Sequence, residues 1–186
     1  MSVPPAATSV GAAVPAGAAH IAAGARTPMA ELVAAAVAAE RAGAPAVVLD
    51  AQDSETADPF LVTAAVAVTT ESIILIVKVP VAQWHPYLVA RRVAQLDKLS
   101  AGRLRWWPID HDVRRRDEAV AIVAALLRSW PAAAIRNDRA TGIHVDTDLI
   151  VPAVAAGRYF SIDSPLDTVA GPQGVVPVIT DIPESP

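Results

Sequence analysis

The eight residues Ser72 to Val79 (SIILIVKV) limit what this chain can fold into more than any other segment. The run is β-branched and nearly continuous in its hydrophobicity, so a sheet with one wet face cannot hold it; it reads as a strand covered on both faces. Ala44 to Leu49 (APAVVL), followed by Asp50, reads the same way between turn residues. Strands of this kind need helices on the sheet, and the flanking sequence supplies them. Thr27 and Pro28 start a helix that runs to about Ala42 and ends at Gly43. Asp58-Pro59 opens a second helix through Val68. A third follows from Pro86, with Val89, Val93 and Leu96 at helical spacing, and Ser100-Ala101-Gly102 closes it before a strand over Arg103 to Ile109. The fourth helix covers Val113 to Trp130. Beyond it the sequence becomes turn-rich to Pro172, with a short strand near Tyr159-Phe160, and Val175 to Thr180 reads as a last buried strand.

Strands alternating with amphipathic helices imply parallel pairing through right-handed crossovers. Periodicity leaves two architectures open, a doubly wound sheet and a closed barrel. With 186 residues and 53% hydrophobic content the chain can bury one sizeable core and is expected to be a single domain. The Pro- and Ala-rich residues 1–19 are expected to form a flexible arm, with the folded domain spanning 20–186. Fifteen Lys and Arg against nineteen Asp and Glu give a net charge of -4, so there is no basic field to attract nucleic acid. No cysteine is present, which excludes disulfides, thiolate metal sites and a cysteine nucleophile and fits a cytoplasmic setting. The longest apolar stretches fall far short of the ~20 residues a membrane span needs, so no membrane association is expected.

The segment ARRVAQLDKLSAGRLRW (Ala90 to Trp106) resembles the third helix and fourth strand of the bacterial-luciferase-like flavin monooxygenases, in the branch that acts on nitrilotriacetate and dibenzothiophene sulfone. Glu31 to Ala51, Asp58 to Val79, Ser129 to Asp146, Gly157 to Asp167 and Gly171 to Thr180 resemble further pieces of the same branch in the same order. The resemblance implies an α/β fold, an incomplete (β/α) TIM-type barrel with flavin at the C-terminal ends of its strands. It also implies a chemistry in which reduced FMN from a separate flavin reductase activates dioxygen, with a deazaflavin as the other cofactor used among relatives.

The departures from the family fall where flavin is held. His20 and Arg26 match the end of the family's first strand, making His20 the catalytic candidate; its other reading is an ordinary strand-end histidine. At the end of the third strand, Lys78-Val79-Pro80 replaces small hydroxyl residues. Lys78 would stabilise reduced, anionic flavin, or it is a surface lysine with its stem buried. After the fourth strand Trp106 is kept, but Trp107, Pro108, Asp110 and His111 replace the family's hydrogen-bonding pattern, and a loop before the fourth helix is deleted. The cofactor-binding candidates are therefore Lys78, Trp106, Asp110, Arg114 and Arg115. Arg114, Arg115 and Arg116 would bind a phosphate or form a solvated helix start. Thr180-Asp181-Ile182 stands where the family has a turn that approaches the cofactor. Asp110-His111-Asp112 reads as a turn and not a metal site.

A complete barrel of this type takes ~250 residues or more, so several units are expected to be missing. Open strand edges and uncovered apolar faces would invite a homodimer or a partner chain. Two functions follow: a luciferase-like flavin-dependent monooxygenase, or a family member without catalysis serving as a binding or structural subunit.

Overall fold

The computed structural model describes residues 11–51 and 58–180. Strands β1 (Gly11–Ala12) and β2 (Ala19–Ala22) lead into helix α1 (Met29–Arg41), β3 (Ala46–Asp50), α2 (Pro59–Thr69) and β4 (Ile74–Pro80). Then come α3 (Pro86–Leu99), β5 (Leu104–Ile109) and α4 (Val113–Ser129). Two antiparallel hairpins, β6 (Ile135–Asp138) with β7 (Ile143–Val145) and β8 (Ala153–Ala156) with β9 (Ser161–Ser164), precede β10 (Val178–Ile179). The fold is the expected α/β one. Six parallel strands lie in the order β1-β10-β5-β4-β3-β2.

Local chemistry sets the helix starts. Pro59 and Pro86 occupy first-turn positions, where a missing N–H is harmless, and Asp58 Oδ1 accepts from Phe60 N at 2.8 Å to cap α2. Pro28 caps α1 and so stands just outside it, one place earlier than the sequence suggested.

Both edges of the sheet are held by one stretch of chain, residues 11–22. Only residues 13–18 separate β1 from β2, and Ala18 N donates to Pro15 O at 3.1 Å, folding them into a turn with Gly17 at φ 81°. Fully extended, that link would reach about 24 Å, and the turn shortens it. Six flat strands would place the edges about 24 Å apart. The sheet must therefore coil. Its register agrees: stepping from Ala12 through Ile179, Trp107, Lys78 and Asp50 ends at Ala22, ten residues further along the same stretch, the stagger a barrel-like sheet needs.

Alternation along the strands divides two cores. Val47, Leu49, Leu75, Val77, Val79, Leu104, Trp106 and Val178 face the helices and pack in the large outer core. Ala46, Val48, Ile76, Trp107 and Ile179 face the concave side, where Ala12, Val14 and Ala18 of the linking stretch pack on them. The inside of the coil is thus a packed layer built partly from the N-terminal stretch.

One expectation changes here. Residues 11–19 are docked into the sheet and its concave face and do not form a loose arm; residues 1–10 lie outside the described residues. The two edges of the sheet are strands of two and four residues joined by a short turn. The strand expected near Tyr159-Phe160 is found on both sides of them, as β8 and β9, and the two residues form the turn between, where the backbone N–H groups of Arg158, Tyr159 and Phe160 all donate to the Glu118 carboxylate at 2.8 to 3.0 Å. A Cβ at Gly157 would overlap that carboxylate, so the turn needs glycine there.

The motif around Asp97 has its structural reason at the opposite end of the strands. Asp97 is fully buried and accepts from Gln173 N at 3.0 Å and Gln173 Nε2 at 2.6 Å, fixing the turn that leads into β10. Gly171 lies so close to Asp97 that no Cβ fits. Arg103 donates to the carbonyls of Ala67 and Thr70 at 2.8 and 3.0 Å, satisfying groups left open at the end of α2.

Candidate functional site

Three neighbouring strands deliver three side chains to the C-terminal mouth of the concave face. Lys78 has the same inward parity as Ile76, Trp107 is its register partner on β5, and Asp50 ends β3 with the parity of Val48. Lys78 Nζ donates to Asp50 Oδ2 at 2.6 Å and sits 5.0 Å from the centre of the Trp107 ring. The lysine and aspartate side chains are 21% and 26% exposed, which leaves them reachable from the mouth. A cation on an indole face is electrostatically favourable, and this contact also fixes where the ammonium points. His20 lies one inward-facing step deeper, level with Val48 and Ile76, and is exposed.

The second charged group of the mouth forms where β5 passes into α4. Asp110, its side chain 1% exposed, accepts from Arg115 Nε at 2.6 Å and Nη2 at 2.7 Å in a two-pronged pair. The hydrogen bonds from Arg115 hold the Asp110 carboxyl below the usual range and raise the Arg115 guanidinium above its own. Asp110 Oδ1 also accepts from Asp112 N at 2.8 Å, so Asp110-His111-Asp112 is a turn stabilised by its own side chain. Asp112 caps α4 by accepting from Arg114 N at 3.0 Å, and it takes the Tyr159 hydroxyl at 2.7 Å. That hydroxyl is the main reason the Asp112 carboxyl titrates low, and the same bond raises the Tyr159 phenol.

The structure thus separates residues the sequence grouped. Lys78 lies at the mouth, and His20 stands two residues deeper in register on the edge strand β2. Trp106 does not lie at the mouth: it is 1% exposed within the helix-side core, since it lies one residue, and so one face, away from Trp107. The assignment of Trp106 to a cofactor is corrected accordingly, and Trp107 takes the inward place. Asp110 and Arg115 engage each other and do not form an open phosphate site. Arg116 lies against Asp117, while Arg114 is exposed at the helix start. Asp181 and Ile182 lie outside the described residues. Asp50 and Trp107 were missed by sequence reasoning; counting alternate positions from Val48 reaches Asp50, while Trp107 depends on its cross-strand pairing with Lys78.

At this place the Lys78 ammonium, beside the Trp107 ring, offers a cation to a negatively charged group. That chemistry suits the ring of a flavin, which carries negative charge when reduced. At the start of α4, Arg115 gives two of its donors to Asp110 and the exposed cation is Arg114. No helix among the described residues is long and apolar enough to cross a membrane, and no cluster of His, Asp or Glu among them could hold a metal ion.

Comparison with known proteins adds ancestry. A family described as luciferase-like monooxygenase matches residues 8–107. Dibenzothiophene-sulfone monooxygenase of Rhodococcus erythropolis is 31% identical over 157 residues, covering 74% of this chain and 34% of that protein. One of the chains of pristinamycin IIA synthase from Streptomyces pristinaespiralis is 33% identical over 144 residues, covering 74% and 52%. Among solved structures, long-chain alkane monooxygenase superposes with a TM-score of 0.73 at 22% identity over 89% of this chain and 50% of that one. The coenzyme F420 dependent tetrahydromethanopterin reductase of Methanopyrus kandleri gives 0.64 at 15%, over 87% and 48%. The structural matches show a shared fold. The chain spans between a third and a half of the length of these relatives.

Proposed function

Since the chain belongs to the luciferase-like monooxygenase family, we propose that it binds flavin at the concave mouth and takes part in flavin-dependent oxygenation. The observation that carries this reading is the Lys78 ammonium, set on Trp107 at the C-terminal ends of adjacent strands, where barrels of this type keep their sites. Reduced FMN from a separate reductase, or a deazaflavin, would supply the oxygen-activating chemistry. Lys78 would offset negative charge on the ring, Trp107 would exclude water from one side of it, and His20 would lie deeper as the group able to hold or pass a proton. Arg114 is the residue left to meet a phosphate. The setting proposed is cytoplasmic, with a homodimer or a partner chain, and exposed Leu61, Leu88 and Leu99 on α2 and α3 are the apolar surface such a partner would cover.

A second reading is a family member with a degenerate flavin site that serves as a binding or structural subunit. It is favoured by Asp110 and Asp50, which engage Arg115 and Lys78 before any ligand arrives. Titration with oxidised and reduced FMN and with a deazaflavin, followed by fluorescence and absorbance, separates the two. Saturable binding in the micromolar range supports the first; no binding at high micromolar concentration of any of them leaves the second.

A further inference from the structure

We propose that Asp50 is a positioning residue that sets how strongly this site prefers reduced, anionic flavin over oxidised, neutral flavin. The inference rests on the flavin-binding reading above. Reduced flavin carries a negative charge on its ring that oxidised flavin lacks, so a cation beside the ring discriminates between them. A lone ammonium would do so strongly, because its attraction falls only as the inverse of distance. Lys78 is not alone. The Asp50 carboxylate lies 2.6 Å from its Nζ, and the pair acts toward a third charge as a dipole, whose field falls off faster. Trp107 completes the arrangement by holding the ammonium 5.0 Å from its ring centre, so the lysine cannot swing freely toward a ligand on its own.

The three positions are tied by backbone register. Leu49 pairs with Val77 and Lys78 pairs with Trp107 across adjacent strands, which places Asp50, Lys78 and Trp107 at one level of the concave face. Asp50 therefore restrains Lys78 in two ways: it directs the ammonium and it offsets its charge. Removing the carboxylate leaves the directing contact with Trp107 and unmasks the charge. Removing the ammonium takes away the cation that favours an anion.

The test is the ratio of affinities for reduced and oxidised FMN, with FMN reduced chemically under argon before mixing. Because both affinities are measured on one variant, general damage to the fold that weakens both cancels in the ratio. Asp50→Asn is expected to raise the preference for reduced FMN about tenfold, and Lys78→Met to lower it by a similar factor. The double variant, with neither charge, returns close to the wild-type ratio. Unfolding curves identify any variant that fails to fold, and Lys78→Met alone then decides the matter, since a ratio it leaves unmoved overturns the proposal. A wild type that binds FMN while Asp50→Asn leaves the ratio unmoved overturns this inference and spares the flavin-binding reading. A wild type that binds neither form overturns both.

Discussion

The two ends of β5 carry the same kinds of residue and use them differently. At its start, Asp97, Gln173 and Arg103 are buried or half-buried and bond to backbone groups and, for Asp97 and Gln173, to each other. At its far end, Asp110 and Arg115 close on each other, and the neighbouring Asp50 and Lys78 form a half-exposed pair at the mouth. The first set fixes the chain's path. The second leaves cations and carboxylates within reach of a ligand. One end of the strand is thus fixed by buried bonds to the chain itself, and the other carries paired charges near solvent.

The largest effect expected on this contrast comes from the residue that separates the two faces. Trp106→Ala should destabilise the protein by about 4 kcal/mol, as a large side chain buried to 1% exposure in the helix-side core leaves a cavity its neighbours cannot fill. Chemical denaturation measures it, and a loss below about 1 kcal/mol would mean the ring is not a core element. Asp97→Ala follows, at about 3 kcal/mol, because the Gln173 donors would be left without a charged acceptor. Flavin affinity measured on the folded fraction should not change, since Asp97 lies away from the mouth; a selective loss of binding would break the division between the two ends.

These same residues show what is legible in the sequence. The motif around Asp97, Gly102 and Arg103 can be read because each residue there serves the backbone, and backbone needs are local. Helix starts at Pro59 and Pro86 are readable for the same reason. Trp106 invites a cofactor role because the motif ends on it, while the pleat of the sheet turns its neighbour inward. Asp110 and Arg115 look like cofactor contacts because their mutual hydrogen bonds depend on a turn that spacing does not reveal. The docking of residues 11–18 inside the coil is hidden by composition: alanine, valine and proline in a row read as an arm unless a concave apolar face is known to await them.

A smaller effect, with a sign, tests the charged end. The Asp110 carboxyl is held below its ordinary range chiefly by the hydrogen bonds from Arg115, while an unfolded chain would titrate it near pH ~3.9. Its contribution is fully present above that pH and is lost as the pH falls through the lower native value. Asp110→Asn should therefore cost about 1.5 kcal/mol at neutral pH and flatten the acid side of the stability profile. Urea unfolding from neutral pH down into the acid range measures both; a variant that keeps the wild-type acid slope would show that the pair does not carry it.

The smallest change in stability is expected at Arg114, and it bears directly on the cofactor. Arg114 is exposed and Arg115 is not free, so a phosphate at this helix start would depend on Arg114. Arg114→Ala should alter stability by less than about 0.5 kcal/mol, as for surface positions generally. Riboflavin shares the flavin ring and lacks the phosphate, so the two ligands separate ring from phosphate contacts. If Arg114 meets the phosphate, the variant weakens FMN binding by about tenfold and leaves riboflavin as it was. Equal affinities for FMN before and after the substitution would remove the phosphate role proposed for Arg114.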